Sequence, residues 1–303
     1  MDYPLLLPIF AILNLVVVAT HGGALSPELY WKSVLPTTPM PKAITNILYS
    51  AGQARKWKPG HVVVREGGHK NYGIAASETQ LHDDPNVAFF FLQKDLHPGT
   101  KFNLHFTKTT GAAAAAFLPR EVADSLPFSS NKVEDVFSKF SVDPQSDEAN
   151  AIKNTIKECE EPAGIKGEQK YCATSLESMV DFSTSKFGTR VEVVSTEVGK
   201  ETKLQSYNVA PGMKKISHEN KAIVCHKQSY PYAVFYCHKI ETTMTFKVPL
   251  EGADGSRVKA ATICHTDTSQ WNPKHLVFQV LKVKPGTPVC HFLPEDNVVW
   301  VPK

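Results

Sequence analysis

The sequence predicts an α+β fold, an antiparallel β-rich single domain with a few helices in its N-terminal half, and three observations predict it. Between about residues 119 and 187 apolar side chains recur at spacings of three and four behind capping residues. After residue 190 the pattern turns to short β-branched runs bounded by Gly, Pro and charge, which read as strands. Before residue 87 no sustained period exists. With 42% hydrophobic residues in a chain of 303, there is enough apolar surface for a real core.

Taken in order, Leu5 to Ala19 is an apolar block followed by small residues, and Gly22 and Ala24 satisfy the small-residue rule. Residues 1–24 therefore read as a secretory signal peptide, although Asp2 is the sole charge of its first segment. Pro8 and Asn14 interrupt the block and Pro4 precedes it, which argues against a retained anchor, so no membrane association is expected after cleavage. Residues 25–86 hold Pro27, Pro36, Pro39, Pro41 and Pro59 with Gly52, Gly60, Gly67, Gly68 and Gly73, and read as an extended, largely unpacked leader. The domain proper occupies residues 87–303.

Within it, the runs Val87–Leu92 and Lys101–Phe106 flank a turn at His97-Pro98-Gly99, and a hairpin is the natural reading. Pro119 opens a short helix, and Asn131 with Glu134 fits a capping pattern before Val136, Phe137 and Phe140. A longer helix is expected from Ser146 to Cys159, with Ala149, Ile152 and Ile156 on one face. Thr174 with Glu177 forms another capping box, before a helix that stops near Gly188. Strands are expected over 191–198, 203–210, 213–218, 222–225, 232–238, 242–248, 258–264, 276–283 and 298–301.

The formal charge of +3 comes from 33 basic and 30 acidic residues that are well mixed, so no clustered basic face for nucleic acid is expected. The informative pattern is the dipeptide Cys-His, which occurs four times, as Cys225-His226, Cys237-His238, Cys264-His265 and Cys290-His291. Each copy sits in or beside a strand-like run. Neighbouring side chains on a strand point to opposite faces, so one pair sends its sulfur one way and its imidazole the other. Two separate functions follow, sulfur for covalent bracing and imidazole for a metal.

Secretion exposes six cysteines to oxidising conditions, and disulfides become the default. Cys159 and Cys172 lie 13 apart across a polar loop and pair with each other. Cys225, Cys237, Cys264 and Cys290 then pair among themselves in one of three ways. A thiolate zinc site has no Cys-x-x-Cys spacing to support it. His226, His238, His265 and His291 are the candidate metal ligands; neutral imidazole takes copper, zinc, iron or nickel, and secretion leaves copper or zinc. His97 and His105 flank the expected hairpin, where they approach the metal or simply cap the turn. His61, His69 and His82 lie in the leader and read as solvent-exposed. No Ser-His-Asp order, His-Glu-x-x-His, phosphate loop or paired-carboxylate motif is present.

The spacing of the four pairs, 10, 25 and 24 residues with Trp300 after 8 more, resembles the signature of the plant BURP domain. Phe90-Phe91-Leu92-Gln93-Lys94-Asp95-Leu96-His97-Pro98-Gly99 and Phe117-Leu118-Pro119-Arg120 are similar to segments of that family, as is the leader stretch Ser26–Pro36, which is unknown-seed-protein-like. Some BURP-domain proteins are copper-dependent peptide cyclases that oxidise a Trp or Tyr of a core peptide and join it to another atom of the chain. The resemblance implies copper as cofactor, held by His226, His238, His265 and His291, and leaves the number of coppers at one or two.

Such a cyclase carries its own substrate when the core lies in its leader. Gln53-Ala54-Arg55-Lys56-Trp57 is the candidate core, with an oxidisable indole at one end and, at the other, a Gln able to form pyroglutamate after processing proteases act. Tyr72 and Trp31 are weaker targets. A flexible linker of the thirty residues between Trp57 and Val87 has a typical span of roughly 30 Å, which gives an effective concentration on the order of millimolar. The alternative is a non-catalytic seed or cell-wall protein whose His residues are structural. Either way the expected location is the secretory pathway, ending in the extracellular space or cell wall or in the vacuole.

Overall fold

A computed structural model describes residues 25–48, 90–106, 115–218 and 221–303. The signal peptide, the candidate core Gln53–Trp57, Tyr72 and the leader histidines lie outside the described residues. Seven helices and thirteen strands are found among those described, in two antiparallel sheets, so the expected α+β class is observed.

The helices are α1 (Pro27–Val34), α2 (Lys42–Thr45), α3 (Arg120–Asp124), α4 (Val133–Phe140), α5 (Asp147–Glu160), α6 (Leu176–Phe187) and α7 (Leu276–Leu281). The strands up to residue 217 are β1 (Phe90–Leu92), β2 (Lys101–Leu104), β3 (Gln169–Ala173), β4 (Val191–Val194), β5 (Glu197–Val198), β6 (Gln205–Val209) and β7 (Lys214–Ser217). After them come β8 (Ile223–Lys227), β9 (Phe235–Lys239), β10 (Thr243–Gly252), β11 (Arg257–His265), β12 (Val289–Phe292) and β13 (Val298–Pro302). The larger sheet runs β1-β12-β11-β10-β6-β2, with β5 added to β11 and β7 to β10. The smaller runs β3-β9-β8-β13-β4.

Strand alternation sorts the side chains into separate cores. One face of the smaller sheet sends Ile223, Cys225, Phe235, Cys237, Val298 and Trp300 toward α1, α2 and α6. The other face sends Val194, Val224, Val299 and Val301 against Ala261, Ile263 and Leu293 of the larger sheet side. The larger sheet turns Val258, Ala260, Cys264 and Cys290 into a third core with Phe91, Phe102 and Tyr207. Helices α3 to α5 pack on Tyr230, Tyr232 and Val234.

Local signals explain the helix ends. Ser146 caps α5 by accepting from the Ala149 N–H at 3.1 Å, as the spacing predicts. The capping box of α6 is formed by Ser175 and Ser178, one residue later than the Thr174/Glu177 pair, and the helix ends at Gly188 with φ +70°. Asn131 does not cap α4; it lies in a 3₁₀ turn and accepts from the Ser129 hydroxyl.

Three expectations are corrected. The first two runs of the domain are not a hairpin: β1 pairs β12 and β2 pairs β6, at opposite ends of the strand path. The connection holds a 3₁₀ turn at Gln93–Asp95 and Gly99 at φ +92°, too long to fix a two-stranded register by itself. The sheet curls enough to bring the Phe91 and Phe102 rings to 4.6 Å. Second, the run 276–283 is a helix. His275 accepts from the Val277 N–H at 3.2 Å, and Leu276, Val277 and Phe278 are buried while Val280 is exposed. A short β-branched run carries no period of its own to decide between the two states. Conversely β3, within the polar loop segment, was not expected.

Third, the stretch 25–48 is not extended or unpacked. Ser26 and Pro27 start α1. Trp31 is 2% exposed, its indole N–H donates to Thr38 O at 2.9 Å, and its ring lies 5.4 Å from that of Trp300. Thr38 in turn donates to Val191 O, and the Phe117 N–H donates to Ile47 O. Tyr30 bonds Asp181, which Arg120 also pairs at 2.6 Å; half-exposed, this pair contributes little beside the apolar burial.

A Trp31→Ala variant should lose about 3–5 kcal/mol of unfolding free energy through the cavity left against Trp300. Chemical denaturation measures it, and a loss under about 1 kcal/mol would mean that the segment is not part of the folding unit.

Candidate functional site

The four Cys-His pairs lie on four strands, two per sheet. In the smaller sheet β8 and β9 pair directly, Cys225 opposite Cys237, and their sulfurs are bridged with Cα atoms 3.9 Å apart. In the larger sheet β11 and β12 place Cys264 opposite Cys290, bridged with Cα atoms 4.0 Å apart. The third bridge joins Cys159 and Cys172, as expected from their spacing. Of the three pairings open to the remaining cysteines, cross-strand register selects 225–237 and 264–290. Each sulfur faces a core of its own sheet, and each imidazole turns the opposite way.

The imidazoles therefore meet. The His226 and His238 rings are 5.2 Å apart, the His265 and His291 rings stack at 5.6 Å and 12°, and His226 joins the two pairs at 6.5 Å from His291. His226, His238 and His265 are buried, whereas His291 is partly exposed and marks the side on which solvent reaches the cluster.

Hydrogen bonding assigns the tautomers of the first pair. The Lys227 backbone N–H donates to Asn297 Oδ1 at 3.2 Å, which turns the amide NH2 toward His226 Nδ1 at 2.9 Å. His226 Nδ1 is thus an acceptor, and its Nε2–H donates to His238 Nε2 at 3.2 Å. His238 carries its own proton on Nδ1 and donates it to Glu168 Oε1 at 3.0 Å. Tyr236, two residues before His238 on the same strand face, donates its hydroxyl to the same oxygen at 3.1 Å. Beside them, burial lowers the Lys170 pKa, and Glu168 and Glu158 partly restore it.

On the other side Thr243 Oγ1 lies 3.4 Å from His265 Nδ1, and Trp271 packs edge-on between His265 at 4.9 Å and His275 at 5.2 Å. His275, 1% exposed, accepts the Val277 N–H on Nδ1 and so caps α7. Phe90, the register partner of His291, packs its ring 5.8 Å away.

The donor chemistry suits a metal that takes imidazole. Two nitrogens bound tetrahedrally to one ion at about 2.0 Å stand about 3.3 Å apart, close to the 3.2 Å between His226 Nε2 and His238 Nε2. Among the described residues no group of three or more His, Cys, Asp or Glu is set ready to hold an ion; the rings form one hydrogen-bonded pair and one stacked pair. The imidazoles that could hold such an ion are those of His226, His238, His265 and His291, and His226 Nε2 would first have to give up the proton it donates to His238.

Of the other expected residues, His97 is exposed and bonds Thr100 and Pro98 O within its own turn, which is the capping alternative. His105 is exposed at the end of β2. Sequence reasoning missed Glu168, Tyr236, Asn297, Trp271 and His275. Tyr236 was within reach of it, since alternation puts residues i and i+2 on one face. Asn297 and Glu168 arrive from loops and carry no periodic signal.

The BURP domain family matches residues 89–302. The BURP domain protein RD22 of Arabidopsis thaliana is 55% identical over 81% of this chain and 64% of its own length. BURP domain-containing protein 3 of rice is 53% identical over 76% of the chain and 54% of its own length. BURP domain-containing protein 5 of rice is 47% identical over 95% of the chain and 92% of its own length. The chain thus spans less than two thirds of the first two relatives. Three disulfides fit a protein of the secretory pathway or extracellular space, and no described helix is long and apolar enough to cross a membrane.

Peptide mapping without reduction should recover the pairs 159–172, 225–237 and 264–290. Replacing Cys225 and Cys237 together by Ala should cost about 2–4 kcal/mol of stability. A recovered 225–264 link would contradict the register of both sheets.

Proposed function

The chain belongs to the BURP-domain family of plant proteins, and from that premise we propose that it is a copper-dependent peptide cyclase that crosslinks a residue of its own leader, Trp57 or Tyr72. The observation that carries this reading is the convergence of His226, His238, His265 and His291, two from each sheet, on one site from which all four sulfurs are turned away. The chemistry copper supplies when bound is one-electron oxidation with dioxygen as terminal oxidant. Each crosslink breaks two bonds to hydrogen and forms one bond between the two atoms, releasing two protons and two electrons that dioxygen takes up as hydrogen peroxide.

Topology supports reaction in cis. The chain enters the domain at Phe90, paired with His291, the partly exposed ring of the cluster. On the other side of the leader, Leu48 is held by a bridge to Phe117. The segment containing Gln53, Ala54, Arg55, Lys56 and Trp57 is therefore tethered at both ends to the domain that would modify it. Its release calls for processing proteases, and the product and enzyme would reside in the extracellular space, cell wall or vacuole.

A second reading, a structural seed or cell-wall protein, is favoured by one observation: His226 and His238 are satisfied by each other, Asn297 and Glu168 without a metal. Mass spectrometry separates the two. The mature chain, prepared without metal and then given copper in air, should yield a Trp57 or Tyr72 peptide lighter by two hydrogens for each crosslink. His238→Ala should abolish that change in a folded protein. Unmodified peptides from a fully copper-bound chain, or unfolding of His238→Ala, would favour the structural reading.

A further inference from the structure

The geometry points to Glu168 as the positioning residue for His238, and to the Cys159–Cys172 bridge as the device that holds Glu168 in reach. The inference rests on the copper reading of the histidines and adds to it a carboxylate and a role for the one disulfide outside the Cys-His pairs.

Helix α5 ends at Glu160, and the chain must turn back before β3 begins at Gln169. Cys159 and Cys172, with Cα atoms 5.7 Å apart, close that loop covalently. Gly167, at φ +85°, takes the left-handed turn just before Glu168. Beyond it β3 pairs β9, with Lys170 opposite His238 and Cys172 opposite Tyr236. The bridge thus anchors the loop one strand away from the histidine it serves.

Both carboxylate oxygens of Glu168 accept hydrogen bonds. Oε1 accepts from His238 Nδ1 at 3.0 Å and from the Tyr236 hydroxyl at 3.1 Å, while Oε2 accepts the Gly164 N–H of its own loop at 3.0 Å. The side chains of Glu168 and His238 are each 2% exposed. Burying a carboxylate is costly unless it is fully bonded, and a backbone carbonyl would satisfy an imidazole N–H at lower cost. What a carboxylate adds is a fixed tautomer and a more electron-rich ring, with Nε2 presented as a lone pair. That Nε2 is the atom facing His226.

The test uses the mature full chain with Glu168→Gln and, separately, Cys159→Ala with Cys172→Ala, which frees the loop but leaves the carboxylate intact. Circular dichroism checks the fold, competition titration gives copper(II) affinity, and paramagnetic resonance reports the ligand field. Copper affinity should fall about 10- to 100-fold in Glu168→Gln, with an altered resonance spectrum. The cysteine variant should also bind more weakly. Wild-type affinity and spectrum in both variants would overturn the inference.

A metal-independent arm separates this outcome from failure of the copper reading. Nitrogen-15 spectra of the metal-free protein should show the His238 proton on Nδ1, shifting toward a tautomer mixture in Glu168→Gln. If the wild-type chain binds no copper, the functional reading falls, and this spectrum decides Glu168 alone. An unchanged tautomer sinks it.

Discussion

Everything at the centre of this molecule depends on two cross-strand disulfides that sit directly opposite each other in their ladders. A directly opposed pair fixes register as well as distance, and a slip of one residue would reverse every side chain on the strand. Because each cysteine precedes a histidine, fixing the sulfurs in the outer cores fixes the imidazoles on the inner faces. Cys225–Cys237 does this in one sheet and Cys264–Cys290 in the other. Face-to-face packing through Val224, Val299, Ala261 and Ile263 then brings the two imidazole pairs together. The bracing and the site are thus two consequences of one alternation.

The same layering explains why the N-terminal stretch belongs to the fold. The sulfur-bearing face of the smaller sheet is apolar and needs a cover. Helix α6 supplies part of it, and α1 with Trp31 on Trp300 supplies another part. All three disulfides lie within residues 159–290, so nothing covalent but the leader itself joins α1 to the domain. The 89–302 match covers both sheets, while the core they enclose extends back to Trp31.

Much of this was legible where chemistry repeats. Adjacent Cys and His in β-branched runs predicted opposite-facing roles, and the polar loop between Cys159 and Cys172 predicted their bridge. Helix α5 was readable from its 3–4 spacing and its Ser146 cap. Elsewhere the signal was too local. The residues of β1 and β2 are adjacent in sequence but pair with strands about two hundred and one hundred positions away, and such partners follow from tertiary packing. Four prolines made 25–48 look unpacked, although Pro27 is a helix-starting proline and the apolar residues Trp31, Leu35, Ile44 and Ile47 are buried. Glu168 and Asn297 act through loop geometry, for which a single sequence has no period to read.

The histidines are chemically unequal even though their motifs are identical. His238 faces an acceptor at Nδ1, so its Nε2 lone pair is available toward the centre. His226 faces a donor, because the Lys227 N–H orients the Asn297 amide, and its Nε2 therefore carries a proton spent on His238. For both nitrogens to bind one ion, that proton must leave or move to Nδ1, where it would confront the Asn297 NH2. Turning the amide would satisfy it but would forfeit the bond from Lys227. Toward any such ion His238 would present a lone pair already free of a proton, whereas His226 would first have to give up its hydrogen bond to His238. Identical dipeptides, set on neighbouring strands, acquire different duties from the loop residue that meets each ring from behind.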